Sequence, residues 1–186
     1  QAVIDEIDAH QLMKMPQEAR AEGGDVMIWN EYLFIGYSEE EDFEKYQVAR
    51  TNKEGVAFLQ TSFPNRKVKA FELKKSDINA RENALHLDCC FQPIGNKQAI
   101  LFEDGFKNPE DVDFLLNSFG KENIIRITRE EMYEMNSNVF SISPEVIISE
   151  NGFVRLNSEL RNRGFQVEEV PYAEIAKMEG LLRCST

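Results

Sequence analysis

The stretch Asp25-Val-Met-Ile-Trp-Asn-Glu-Tyr-Leu-Phe-Ile-Gly36 decides the fold of this chain. Its two apolar runs flank Asn30-Glu31, a polar pair at which a hairpin can turn, so the stretch predicts two antiparallel strands. A helical stretch follows at about 53–63, and the stretch at 67–73 predicts a third strand. The resulting unit has the order strand, strand, helix, strand.

The same order recurs twice along the chain. The second unit has predicted strands at 85–93 and 98–102 around Gly95-Asn96, a helix from Pro109 to Gly120 and a strand at 123–128; the third has strands at 138–142 and 145–149, a helix at 153–163 and a strand at 166–170. One such unit cannot bury both faces of its sheet, so neighbouring units must complete the core. We therefore predict an α+β fold in which the units form a propeller-like array. The alternative is a plain α+β domain in which hairpins and helices alternate by chance.

Composition limits the classes of partner. The 186-residue chain is long enough for a sizeable core, and its formal net charge of −12 argues against nucleic acid, because phosphate binding requires basic patches. No apolar run reaches the roughly 20 residues of a membrane span, so we expect no membrane partner. Three cysteines, two of them adjacent, do not make a disulfide framework, and we expect a cytoplasmic protein. Association into a homo-oligomer is left open.

Both ends of the chain look cut. It opens at Gln1, without an initiator methionine, in what reads as the second half of a helix, and it closes at Thr186, two residues after Cys184. We expect residues 1–186 to be one piece of a single domain. Its repeat units are predicted at about 18–75, 84–128 and 134–172, and a separate segment follows at 178–186.

The segment Ala84-Leu-His-Leu-Asp-Cys-Cys-Phe91 is the first candidate site. As a strand, it would place His86, Asp88 and Cys90 on one face and apolar side chains on the other. A buried carboxylate needs a partner, so such a face commonly lines a site or holds a salt bridge. When the pair is considered alone, a satisfied structural His-Asp pair is the more common explanation.

The sequence offers little material for a metal site. The second histidine, His10, lies in the opening segment, and the chain has no C-x-x-C, no H-x-x-x-H and no glycine-rich phosphate loop. Cys89 and Cys90 would point to opposite faces of a strand, which favours small buried side chains over chelation. We expect neither a metal nor an organic cofactor.

Two further segments carry reactive side chains. Glu22-Gly-Gly-Asp25 sets two carboxylates beside paired glycines, which let a backbone bend tightly or approach a ligand closely. The C-terminal Glu179-Gly-Leu-Leu-Arg-Cys-Ser-Thr186 contains a lone cysteine beside Arg183, and a nearby positive charge promotes thiolate formation. Taken alone, the first is more simply a turn entering a strand and the second an unremarkable cysteine.

Together, Glu22-Gly-Gly-Asp25, His86-Leu-Asp88 and the late Cys184-Ser-Thr186 resemble the ordered motifs of the guanidine-modifying superfamily. That superfamily includes glycine amidinotransferases, arginine deiminases and dimethylarginine dimethylaminohydrolases. The strand-strand-helix-strand unit also resembles its repeating module, five of which form a β/α propeller (the pentein fold) around a central site. The resemblance implies that N-terminal modules of a longer parent protein are missing from this chain.

The resemblance also implies catalytic roles. It makes Cys184 the nucleophile, His86 the general acid and base, and Glu22 the carboxylate that orients the histidine. The family's glycine-rich stretch before the cysteine is replaced here by Leu181-Leu-Arg183.

Further residues are implied to bind substrate. Asp88 would hold the guanidinium group, and Asp25 would be a second carboxylate of the site. Arg50, in an Arg-Thr-Asn segment that resembles one in the family, would hold the substrate carboxylate, and Asn138 matches a family position near the site.

The implied reaction proceeds through a covalent amidino-thioether on the cysteine, with a small guanidine such as arginine as the partner. The strand from Ala84 to Ile94 resembles the amidinotransferase branch more closely, so we expect an amidinotransferase of the arginine:glycine type. The alternatives are a hydrolase of the arginine deiminase or dimethylarginine dimethylaminohydrolase type, and a non-catalytic arginine-binding module.

Overall fold

The computed structural model describes residues 7–8, 12–39, 50–177 and 180–185. His10 lies outside the described residues. Within the described part of the chain, no helix combines the length and the apolar character that a membrane span requires.

The described residues form three sheets of three strands each. In every sheet the first two strands are an antiparallel hairpin, and the third strand runs parallel to the second. The strands are β1 (Val26–Trp29), β2 (Tyr32–Tyr37), β3 (Lys67–Glu72), β4 (Phe91–Ile94), β5 (Gln98–Leu101), β6 (Ile124–Arg126), β7 (Phe140–Ser141), β8 (Val146–Glu150) and β9 (Gln166–Val170). The predicted unit is therefore present three times.

A helix connects the second strand of each sheet to the third. The helices are α1 (Lys53–Ser62), α2 (Leu87–Cys90), α3 (Pro109–Phe119), α4 (Arg129–Tyr133), α5 (Val154–Asn162) and α6 (Ala173–Ala176), of which α1, α3 and α5 are the connections. The side chain of Asn52 caps α1 by accepting a hydrogen bond from Gly55 N. Gly120 and Gly164 follow α3 and α5 with φ of 84° and 92°, values that favour glycine. These boundaries agree with the predicted ones to within a few residues.

Aromatic side chains join the first two units into one core. Phe34, Phe71 and Phe91 are fully buried, with ring centroids 5.5 Å apart for Phe34–Phe71 and 5.8 Å for Phe34–Phe91. Burying each ring contributes about 2–3 kcal/mol, and the tilted packing adds to that. The same buried cluster extends through the third unit to Leu181 and Leu182, so the chain's last described segment rests on the core.

The predicted strand at 85–93 is wrong in its first half. Leu87 to Cys90 is a helical turn, α2, and the strand begins only at Phe91. The two-face assignment fails with it, because Leu87, Asp88, Cys89 and Cys90 are all buried. A tertiary contact explains the turn, since a carboxylate distant in sequence, Asp25, accepts a hydrogen bond from the Leu87 amide at the start of α2.

Candidate functional site

Asp25 joins three of the sequence segments that we singled out. It is 1% exposed; its Oδ2 accepts a hydrogen bond from Thr51 Oγ1 at 2.7 Å and its Oδ1 one from Leu87 N at 2.9 Å. Gly36 leaves room for this carboxylate, because a Cβ there would lie 2.6 Å from Oδ1. Burial raises the pKa of Asp25. Both oxygens are engaged by the protein, so this geometry favours a positioning role over the predicted direct contact with substrate.

His86 forms an ion-pair-like contact with Glu22. The distance from His86 Nε2 to Glu22 Oε2 is 2.8 Å, and the side chains are 14% and 44% exposed respectively. Gly24 lies against the ring, because a Cβ at that position would be 2.9 Å from both Cγ and Nδ1 of His86. The carboxylate fixes one ring nitrogen, and an imidazole has a second with which it can exchange a proton.

Arg50 lies at the same place. Its Nη1 is 3.4 Å from Glu22 Oε1, and its side chain is 33% exposed. The next residue, Thr51, binds Asp25 and also accepts a hydrogen bond from Glu22 N at 3.2 Å. The structure therefore brings the Arg-Thr-Asn segment to the Glu22–His86 pair, with the arginine beside the carboxylate of Glu22.

The cysteine segment reaches the site as a single turn. Arg183–Ser185 forms a 3-10 turn in which Cys184 is exposed. The buried Asn138 holds this turn from two sides: its Nδ2 is 3.3 Å from Cys184 Sγ, and its Oδ1 accepts a hydrogen bond from Arg183 N at 3.0 Å. Asn138 thus contacts both the thiol and the backbone of its turn, and the substrate contact that the sequence predicts for it stays a prediction.

Asp88 faces the cysteine. It is fully buried, and its Oδ2 is 3.7 Å from Cys184 Sγ and 3.0 Å from Arg183 Nη1. Its backbone oxygen accepts a hydrogen bond from Ser137 Oγ at 2.8 Å. A carboxylate next to a nucleophilic thiol is well placed to hold a planar cation against the sulfur, because carboxylates bind guanidinium groups with paired hydrogen bonds.

The other two cysteines differ in character from Cys184. Cys89 and Cys90 are buried, and burial raises the pKa of both thiols. Thiols of this kind are poor nucleophiles and poor metal ligands at neutral pH. Ligand atoms of His86, Asp88 and Cys89 lie within 4.8 Å of one another. Because burial raises the pKa of one of the three, the Cys89 thiol, and the histidine already contacts Glu22, the cluster does not by itself make a metal site.

Lys75 is a residue that the sequence analysis missed. Its Nζ donates hydrogen bonds to Ala84 O and Leu85 O, both at 2.7 Å, and burial lowers its pKa. Asp25 binds the amide just after His86, so Lys75 and Asp25 hold the backbone on both sides of the histidine. Its sequence context, a lysine pair after a strand, is typical of exposed residues and gives no signal for this role.

One cavity lies apart from the reactive groups. It has a volume of about 680 Å³ and is lined mainly by apolar side chains, among them Met132, Phe153, Ala176 and Leu181. Cys89 borders it, but Cys184, Asp88 and His86 do not. We therefore identify the site by its side-chain geometry and not by cavity size.

Comparison with known proteins gives the chain its family. A family model described as N,N-dimethylarginine dimethylhydrolase, eukaryotic, matches residues 5–186. The uncharacterized protein YkgA of Bacillus subtilis is 28% identical over 165 residues, covering 89% of this chain and 50% of that protein. The N(G),N(G)-dimethylarginine dimethylaminohydrolase of Pseudomonas aeruginosa is 25% identical over 163 residues, covering 88% and 54%. The chain thus spans about half the length of the curated relatives that it matches.

Solved structures show the same fold. The N-terminal domain of ArgZ, a cyanobacterial arginine dihydrolase bound to its product, matches with a TM-score of 0.73 at 21% identity, covering 91% of this chain and 56% of that one. A mutant of the Pseudomonas aeruginosa dimethylaminohydrolase complexed with citrulline matches with a TM-score of 0.72 at 22% identity, covering 98% and 61%. The predicted α+β propeller fold is thereby confirmed. The chain belongs to the dimethylarginine dimethylhydrolase family, within the guanidine-modifying pentein superfamily.

Proposed function

We propose that the protein containing this chain hydrolyses the guanidine group of arginine or of an N-methylated arginine, with Cys184 as the nucleophile. One observation carries the proposal. The exposed Cys184 thiol lies 3.7 Å from the buried Asp88 carboxylate. Asp88 is two residues after His86 in the chain, and Nε2 of His86 lies 2.8 Å from the carboxylate of Glu22. A nucleophile, a cation-binding carboxylate and an oriented acid-base group are what attack on a guanidinium requires.

Substrate binding would depend on charge. A guanidinium group stays protonated at neutral pH, so its carbon must be fixed by carboxylates before a thiolate can attack it. Asp88 would hold its N–H groups beside the sulfur, and Asn138 would hold the sulfur in place. Arg50 is the candidate for the substrate's carboxylate, because it lies at the Glu22–His86 pair and is partly exposed.

The reaction would take place in two steps. The Cys184 thiolate adds to the guanidinium carbon, the bond from that carbon to the departing nitrogen breaks, and His86 gives the amine its proton. The carbon is then joined to sulfur as a thiouronium. His86 next removes a proton from water, the water oxygen adds to the same carbon, and the C–S bond breaks. The products are a neutral ureido group, the released amine and the free thiol.

The family match supports hydrolysis over amidino transfer. The sequence favours the amidinotransferase branch, but the matching family model and the curated enzyme relative are both described as dimethylarginine hydrolases. The solved structures with similar folds include an arginine dihydrolase, which is also a hydrolase. The hydrolase that the sequence analysis kept as an alternative is therefore the better-supported proposal.

Product analysis tests the proposal. The full-length protein is incubated with arginine, monomethylarginine and dimethylarginine, with and without glycine, and the products are identified by mass spectrometry. We expect citrulline and the matching amine, in amounts that glycine does not change, and no citrulline from the Cys184→Ala variant. Ornithine with an amidinated glycine, formed only when glycine is present, would establish a transferase instead. If no guanidine is consumed, the proposed enzyme activity is wrong.

A further inference from the structure

The side chain of Arg183 places a guanidinium group on the proposed guanidinium-binding carboxylate. Arg183 Nη1 lies 3.0 Å from Asp88 Oδ2, and its Nη2 donates a hydrogen bond to Val26 O at 2.8 Å. A longer contact of 3.4 Å joins Nη1 to Gly23 O, next to Glu22. The chain therefore holds, one residue before its nucleophile, a group with the same chemistry as the proposed substrate.

This ion pair gives the buried carboxylate of Asp88 a cationic partner. Asp88 is fully buried, and a buried carboxylate without a cation is costly. Arg183 is the cation that the structure pairs with it among the described residues. Its side chain is 20% exposed, so this end of the pair can reach water when the contact breaks.

The surroundings leave room for a second position of the side chain. Arg183 borders a cavity of about 280 Å³ that is also lined by Met27, Trp29, Gln92 and Pro93. A guanidinium released from Asp88 can stack on aromatic and aliphatic surfaces of this kind, since its planar faces are weakly hydrated.

We propose that Arg183 lowers the affinity of this site for its ligands by occupying Asp88 whenever no cationic ligand is bound. The inference rests on the proposed function. When substrate binds, its guanidinium takes the place of the Arg183 guanidinium on Asp88. The buried carboxylate therefore keeps a cationic partner. The neutral ureido product cannot replace that pair, so Arg183 returns to Asp88 and displaces it. The residue thereby weakens substrate binding and prevents product from accumulating in the site.

The expected change in affinity depends on the fraction of unliganded molecules in which Arg183 pairs with Asp88. If Arg183 holds Asp88 in about nine-tenths of the unliganded molecules, apparent dissociation constants are raised about tenfold. Arg183→Gln should therefore lower KM for arginine-type substrates about tenfold and lower the inhibition constant of citrulline by a similar factor. Arg183→Lys keeps the positive charge but loses the planar guanidinium group. Its KM and its inhibition constant for citrulline should therefore lie between those of the unmodified protein and those of Arg183→Gln.

Binding is measured by calorimetry in the full-length protein carrying Cys184→Ser, so that turnover does not interfere. The ligands are arginine and citrulline, and Arg161→Gln is the matched control because Arg161 is an exposed arginine that pairs with Glu169 away from the site. We expect Arg183→Gln to tighten the binding of both ligands and the control to change neither. Unchanged or weaker binding in Arg183→Gln would overturn the inference.

A second readout does not need a substrate. Cys184 is modified with a cationic and with a neutral methanethiosulfonate reagent of similar size. Removing Arg183 should uncover the charge of Asp88 and raise the ratio of cationic to neutral rates several-fold, whereas an unchanged ratio would contradict the inference. If the protein consumes no guanidine and this ratio still rises, the proposed function fails and the placement of Arg183 stands. If turnover occurs and neither readout changes, the inference alone fails.

Discussion

The two halves of the candidate site are built differently. His86 and Glu22 belong to a network that is anchored in the core by Asp25, and the backbone around His86 is held by Lys75 and by Asp25. Cys184 lies on an exposed turn that is held mainly by the polar contacts of Asn138 and Arg183. The first half is thus built into the packed units, whereas the thiol of the second half is exposed.

The largest difference should be in thiol reactivity, between Cys184 on the exposed turn and the two cysteines in the core. Cys184 is exposed, whereas burial raises the pKa of Cys89 and Cys90, so their thiolate fractions are small at neutral pH. We expect iodoacetamide to label Cys184 at least about 100-fold faster than either buried cysteine. Peptide mass spectrometry over a time course measures the three rates. Equal rates would mean that the exposed turn and the core do not differ as described.

The His86 ring should tolerate no added side-chain atom at Gly24. Gly24→Ala places a Cβ 2.9 Å from the His86 ring, so the ring must move away from Glu22. Because displacements of this size are costly in catalysis, we expect kcat to fall about 100-fold. Gly23→Ala is the control, since nothing lies within 4 Å of the added Cβ there. Similar kcat values for the two variants would show that the ring position is not critical.

Removing the partly buried amine of Lys75 should weaken the fold as well as the site. Lys75→Met leaves the carbonyls of Ala84 and Leu85 without their donor, and we expect a loss of about 2 kcal/mol in the free energy of unfolding. The adjacent exposed Lys74 is the control, and Lys74→Met should stay within about 0.5 kcal/mol. Urea unfolding of the full-length variants measures both. An equal loss of stability at the two positions would show that Lys75 does not hold the backbone beside His86.

The smallest effect concerns pH. Burial raises the pKa of Asp25 above its ordinary value of 3.8, so the folded state favours the protonated carboxyl. The stabilisation that the protonated Asp25 carboxyl gives to the folded state is complete below that value. It is lost as the pH rises through the pKa of Asp25 in the folded state. Asp25→Asn cannot ionise, so its stability relative to the unmodified protein should increase with pH. Urea unfolding from about pH 4 to about pH 8 tests this, and a relative stability that falls with pH would contradict it.

The three units could be predicted because their signals are local. Asn30 takes a positive φ at the first hairpin turn, and glycines follow α3 and α5 in conformations that favour them. Residues of these types mark turns in any sequence. The order Glu22, His86, Cys184 became informative only through the family resemblance, because each residue alone has an ordinary structural explanation.

The remaining features could not be predicted because distant residues impose them. Alternation around His86 favours a strand, but the carboxylate of Asp25 binds Leu87 N across 62 positions and a helical turn forms instead. Lys75 has the sequence context of an exposed residue, and its two carbonyl acceptors are brought to it by the fold. The pairing of Arg183 with Asp88 joins residues 95 positions apart.

Trapping the covalent intermediate tests the central claim most directly. The full-length protein is mixed with arginine or a methylated arginine, quenched in acid within the turnover time, digested and analysed by mass spectrometry. We expect the peptide that contains Cys184 to carry the mass of the thiouronium adduct, the peptide of Cys89 and Cys90 to remain unmodified, and Cys184→Ala to give no adduct. Turnover that continues in Cys184→Ala, or an adduct on another residue, would contradict the assignment of Cys184 as the nucleophile.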